Sequence, residues 1–143
     1  MSPQVMIDDF KRLMQIAQSD LLVADTLLKA GIPEIRQEEI CLHCHAALEK
    51  ALKGVAFLMG FEPPHTHRLA ILSQHIVKNG GAPRLPKDFD VSNFVFLDAY
   101  SSVARYENLL PKAENEVAKM AYEKVKEVWN EIERVNLLPN ADY

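Results

Sequence analysis

Phe10, Met14, Ala17, Leu21, Ala24 and Leu28 recur at alternating intervals of four and three residues. This rhythm constrains the chain more than any other feature. It draws one apolar stripe along an α-helix and would scatter across both faces of a strand. Ser2 is placed to cap such a helix and Pro3 suits its first turn. The spacing therefore predicts a helix from about Gln4 to Ala30, stopped by Gly31 and Pro33.

The same rhythm returns in Cys41, Cys44, Leu48, Ala51, Val55 and Leu58, and predicts a second helix from about Glu34 to Met59. Gly60 ends it and Pro63-Pro64 forbids continuation. A third helix is expected from about His67 to Asn79, with Leu69, Leu72 and Ile76 inward, Thr66 as cap and Gly80-Gly81 as stop. After a loop rich in Gly and Pro, Asp90 is placed to cap a fourth helix reaching Tyr106. A last helix is expected from near Pro111 to about Asn136, with Val117, Ala121, Val125, Val128, Ile132 and Val135 inward and Glu131 beside Arg134 outside. Long stripes joined by short connections imply an all-α, antiparallel up-and-down bundle of four to five helices. Residues 1–143 are expected to form one domain.

Composition narrows the function classes. The net charge is −4, from 16 basic and 20 acidic residues, which argues against a nonspecific nucleic-acid binder that works by neutralising phosphates. No apolar run approaches a membrane span, and the opening Met1-Ser2-Pro3-Gln4 lacks a basic-then-apolar signal pattern. The expectation is a cytoplasmic protein with no membrane partner. Cys41 and Cys44 sit three apart on an apolar helical stretch and are expected to be buried and reduced.

Candidate chemistry gathers on the second helix. His45, Glu49 and Lys53 are spaced by four and form one polar row. The plain reading is a helical ion pair between Glu49 and Lys53, worth about 0.3 kcal/mol. The functional reading has Lys53 meeting a phosphate while Glu49 holds it in place. On the fourth helix Asp98, Ser102 and Arg105 share a face, and Arg105-Tyr106 stands at its end, where an Arg reaches a phosphate and a Tyr stacks. Cys41, His43, Cys44, His45, His65 and His67 are all ligand types, but Cys44 and His45 are adjacent and point apart by about 100° on a helix. Neither a metal site nor a cofactor is assigned. The chain carries no P-loop, dinucleotide fingerprint or serine nucleophile elbow.

Two stretches carry a family resemblance. Cys41 to Lys53, with its Glu49-Lys50-Ala51-Leu52-Lys53, and Ala104-Arg105-Tyr106 are similar to segments of the HEPN family, the higher eukaryotes and prokaryotes nucleotide-binding domain. Ser19-Asp20-Leu21-Leu22 and Thr66-His67-Arg68-Leu69 add to the match, and order and spacing agree from roughly residue 10 to residue 135. The resemblance implies a bundle of four or five helices, often a homodimer. It also implies action beside a separately encoded minimal nucleotidyltransferase, in a toxin-antitoxin-like pair. Some relatives are metal-independent endoribonucleases that place an Arg, four to six residues and then a His on a late helix.

This chain departs from that nuclease pattern, because Arg105 is followed by Tyr-Glu-Asn-Leu-Leu-Pro without a His. Arg36 with His43, and Arg68 with His75, satisfy the spacing but lie on the second and third helices, where the family does not place the motif. The leading expectation is therefore a nucleotide-binding or partner-binding protein rather than an enzyme. Glu49, Lys50, Lys53, His67, Asp98, Arg105 and Tyr106 would surround its cleft. The rival is an endoribonuclease using Arg68 with His75, or His67 with Arg105. The third reading is a purely structural dimerisation module. Phe94-Val-Phe-Leu97 cannot all face one core stripe on a helix, so part of it is expected to cover a second copy.

Overall fold

The apolar stripes predicted from the sequence become the core of a computed structural model that describes residues 2–30, 37–101 and 111–137. Among the described residues the α-helices are α1 (Pro3–Ala30), α2 (Gln37–Leu58), α3 (Leu69–Lys78) and α4 (Asn115–Asn136), and no strand occurs there. Along α1, Phe10, Met14, Ala17, Leu21 and Ala24 are buried, and Leu28 is half-buried at the end of the stripe. Ser2 caps the helix as expected, its Oγ accepting the Val5 N–H at 3.3 Å.

α2 is the central element. None of its residues is fully exposed, and it packs against α1, α4, α3 and the segment Val95–Tyr100. Asp20 of α1 meets Lys50 and His43 of α2, while Phe10 lies beside Gly54, so the two helices run antiparallel. α4 also runs antiparallel to α1, with the Trp129 Nε1–H donating to the Met14 carbonyl at 3.0 Å. Each large side chain sealed in this core contributes about 1.5–3 kcal/mol through apolar burial. No helix among the described residues is long and apolar enough to cross a membrane.

The glycine stops act as expected. Gly60 and Gly80 both adopt φ of 84°, the left-handed conformation that ends a helix without a Cβ penalty. After each, the next amide reaches back five residues: Phe61 N–H to the Ala56 carbonyl at 3.0 Å, and Gly81 N–H to the Ile76 carbonyl at 2.8 Å.

Several expectations need correction. α3 begins at Leu69 rather than His67. Thr66 Oγ1 accepts the Arg68 N–H at 3.1 Å, which closes a turn ahead of the helix instead of capping it. The Leu69 N–H is taken from across the fold by Asp98 Oδ1 at 3.1 Å. α4 begins at Asn115 rather than Pro111. The preceding chain is committed elsewhere, with the Ala113 N–H donating to Glu38 Oε2 at 3.3 Å and the Tyr100 hydroxyl donating to the Lys112 carbonyl at 3.5 Å. Val117 and Val135, expected inward, are only half-buried at the margins of the α4 stripe.

The largest correction concerns the expected fourth helix from Asp90 to Tyr106. Over its described part it is two short 3₁₀ segments, Val91–Asn93 and Val95–Tyr100, separated at Phe94. Phe94, Leu97 and Tyr100 are the buried residues here, and their interval of three matches the three residues per turn of a 3₁₀-helix. Val95 and Phe96 remain 40% and 36% exposed. Asp90 does act as a cap, its Oδ1 accepting the Ser92 N–H at 3.0 Å.

Cys41 and Cys44 are free and buried. Burial, with a smaller push from the Glu38 charge, raises the Cys41 thiol to about 11. Burial raises Cys44 further still, with Cys41 and Asp20 adding to it.

Candidate binding site on the second helix

The polar row of α2 lies beside its buried stripe and faces α3 and the Val95–Tyr100 segment. His45 is at its base, 1% exposed. Its Nε2–H is shared between the His67 carbonyl, at 2.9 Å, and Asp98 Oδ1, at 3.2 Å. A carbonyl can only accept, so Nε2 is the nitrogen assigned the proton. Asp98 also takes the Leu69 N–H. One imidazole thus ties α2 to the loop before α3 and to the 3₁₀ segment. Its Nδ1 stands 3.8 Å from Glu49 Oε1, too long for a hydrogen bond.

One turn on, Glu49 is the hub of the outward part. Its Oε2 accepts from Lys53 Nζ at 2.9 Å, and its Oε1 accepts from His67 Nδ1 at 2.9 Å. The Glu49 side chain is 12% exposed, Lys53 23% and His67 46%, so exposure grows outward from the carboxylate. Burial is the largest single influence on the Glu49 carboxyl and opposes its ionisation. The hydrogen bonds and charges of Lys53 and His67 outweigh burial and hold it below its ordinary value. His67 is clamped twice, by its ring on Glu49 and by its carbonyl on His45.

Lys50 does not join this group. One residue along a helix turns the side chain by about 100°, and Lys50 faces α1 instead, donating to Asp20 Oδ2 at 2.6 Å. Asp20 Oδ1 accepts from His43 Nδ1 at 3.0 Å. Burial again opposes ionisation of Asp20 and is outweighed by His43 and Lys50, which leaves this carboxyl below its ordinary value. The structure therefore brings together Glu49, Lys53, His67 and Asp98 from the predicted set and sends Lys50 to the opposite flank of α2. Arg105 and Tyr106 lie outside the described residues, as do Ser102 and Arg36.

Of the nuclease candidates, His75 presents no nitrogen to solvent through Nε2, which is buried without a hydrogen-bond partner. Its ring meets Phe61 edge-on, with centroids 6.0 Å apart. Arg68 is exposed, so the pair cannot act together on one bound phosphate through that nitrogen. His67 differs, being half-exposed and oriented by a carboxylate. Among the described residues no three His, Cys, Asp or Glu side chains converge on one point that could hold a metal ion.

The Glu49 group can meet an anion at its outer edge. Lys53 and the His67 ring both donate to one carboxylate, and an incoming phosphate would compete with Glu49 for them. Sequence reasoning misses two parts of this arrangement. The pairing of Asp20 carries no sequence signal, because spacing within a helix does not report contacts between helices. His45 belongs to the polar row by spacing, but its role as a buried tie depends on a carbonyl and a carboxylate 22 and 53 residues away.

The family model described as HEPN domain matches residues 10–135, most of the chain. Comparison with curated proteins and with solved structures gave no match.

Proposed function

Because this chain belongs to the HEPN domain family, we propose that it is a binding protein rather than a self-sufficient enzyme, engaging a nucleotide or a protein partner across the α2 face that carries Glu49, Lys53 and His67. The partner in this reading is a minimal nucleotidyltransferase, and the two form a toxin-antitoxin-like pair. Residues 1–143 act as one helical domain, and two copies associate.

The observation that supports this most is the double clamp on the outward group. Glu49 is held between Lys53 and His67, and His67 is anchored from beneath by His45. Ordering two flexible side chains in advance lowers the entropy cost of binding. Lys53 supplies charge, Glu49 orients it, and the half-exposed His67 edge adds a hydrogen-bonding group. Asp98 holds the α3 entrance in place. Lys50 acts elsewhere, fixing α1 through Asp20.

Titration calorimetry with ATP, GTP and short oligonucleotides tests the nucleotide half. The expected result is saturable heat with at least one ligand, reduced at least tenfold in affinity by Lys53→Ala. Absence of heat with all of them removes nucleotide binding and leaves the partner alone. A chain that binds no nucleotide and recovers no partner is a structural dimerisation module.

One observation favours a second reading. A half-exposed imidazole whose Nδ1–H is held by a carboxylate is the arrangement that orients a general base at Nε2. In that reading the chain is an endoribonuclease acting through His67. Cleavage of structured RNA abolished by His67→Ala and preserved in His75→Ala would establish it.

A further inference from the structure

A concave site lies at the C-terminal end of α2, five residues beyond Lys53, and shares no residue with the His67 clamp. The start of α1, the end of α2, the turn at Arg84 and the end of α4 enclose a groove of about 520 Å³. Its floor is apolar, formed by Met6, Ile7, Leu58 and Leu137. Lys11 and Arg84 stand on its rim, and among the described residues none that lines it is acidic. In a chain with net charge −4 this is a local reversal of sign.

The two cations are also uncommitted to carboxylates. Among the described residues neither Lys11 nor Arg84 forms an ion pair, whereas Lys29, Lys50, Lys53 and Arg134 all do. Arg84 is held in position by a neutral group instead. Its Nη1 donates to Asn136 Oδ1 at 3.2 Å, and Asn136 Nδ2 donates back to the Arg84 carbonyl at 2.9 Å and to the Ile132 carbonyl at 2.8 Å. Asn136 is 4% exposed, so this is a buried amide fixing a surface guanidinium from below. A neutral anchor positions the charge without cancelling it, and the guanidinium keeps donors to spare. Asp8, three residues before Lys11 on α1, accepts from the Gln4 amide at 2.9 Å.

Volume, floor and rim together define a ligand class. The groove falls within the range of about 300–1,000 Å³ that suits small molecules. An apolar floor takes a hydrocarbon or aryl body, and two unpaired cations at one rim take a single anionic head group. We propose that this groove is a binding site for a small amphipathic anion, an apolar chain ending in a carboxylate or a phosphate.

The test uses octanoate, octyl phosphate and uncharged octanol, titrated into the full chain by calorimetry, with amide chemical shifts followed at Met6, Ile7 and Leu58. The expected result is one-to-one binding of at least one of the two anions, with the shifts confined to the groove. Octanol should bind at least tenfold more weakly. Lys11→Gln and Arg84→Gln should each weaken the anion by about threefold to tenfold. Both variants alter exposed side chains, and circular dichroism checks that they fold. The relative affinity of octanoate and octyl phosphate identifies the preferred head group. Three results would overturn the proposal: no saturation by either anion at millimolar concentration, equal affinity for octanol, or unchanged affinity in both variants. The last two would mean simple apolar partitioning. Because neither residue touches Glu49, Lys53 or His67, this outcome is independent of the proposed function.

Discussion

Replacing His45 with Ala tests whether one buried imidazole holds the site together. The side chain is 1% exposed, and its Nε2–H serves the His67 carbonyl and Asp98 Oδ1. Two losses add. Leaving a part-buried carbonyl without its donor costs about 1–3 kcal/mol. Emptying the volume of a large buried side chain costs about 2–5 kcal/mol, less where neighbours collapse. Asp98 recovers part of its share, because it keeps the Leu69 N–H and its side chain is 26% exposed to water. The sum spans about 3–8 kcal/mol, and collapse of neighbours with the Asp98 recovery brings the expected cost to about 3–5 kcal/mol, which lowers the melting temperature by roughly 10–15 °C in a chain of this size. Thermal and urea unfolding followed by far-ultraviolet circular dichroism measure it. Asp98→Ala alone should cost about 1–2 kcal/mol. The double variant should cost less than the sum by at least about 0.5 kcal/mol, since the two groups share one hydrogen bond. A His45→Ala melting point within about 2 °C of wild type, or strict additivity with Asp98→Ala, would refute the reasoning.

Other outcomes follow from the same contacts. The Glu49 and Asp20 carboxyls both lie below their ordinary values of 4.5 and 3.8. A depressed carboxyl stabilises the fold above its unfolded value, and that stability is lost as pH falls through the folded value. Unfolding free energy should therefore decline below about pH 4.5, and Glu49→Gln should flatten the decline in urea titrations run across that range. Cys41 and Cys44, buried with raised thiols, should resist a disulfide-exchange reagent in the native chain and react fully in denaturant. Val95 and Phe96, exposed beside buried Phe94 and Leu97, should cover a second copy. Sedimentation should then show a dimer at micromolar concentration that Phe96→Asp converts to monomer, and a wild-type monomer would contradict this.

The helices are legible in the sequence wherever burial follows a period of 3.6 residues. The α1 stripe is buried almost residue for residue as its spacing implies, and Gly60 and Gly80 stop their helices by the mechanism expected of them. Legibility fails where a distant group overrides a local signal. Thr66 looks like a cap, but the α3 amide it would serve belongs to Asp98, 29 residues away. Pro111 looks like a helix start, but the chain after it is held by Glu38. Phe94 to Tyr100 reads as an α-helix by composition, yet its buried residues fall every third position, and that choice of turn depends on the surface beneath them. The candidate site divides in the same way. The Glu49–Lys53 pair is visible in a spacing of four, while the assignment of Lys50 to Asp20 and of His45 to Asp98 needs the packing of three elements.

The central claim is that the α2 face bearing Glu49, Lys53 and His67 is a recognition surface. Recovering the chain from its native host under gentle conditions, as wild type and as a Lys53→Ala, His67→Ala double variant, tests it most directly, with the bound material identified by mass spectrometry. Wild type should retain a nucleotidyltransferase, a nucleotide or both in stoichiometric amount, and the folded double variant should lose it. Equal retention by the two proteins, or nothing retained by either, would contradict the claim.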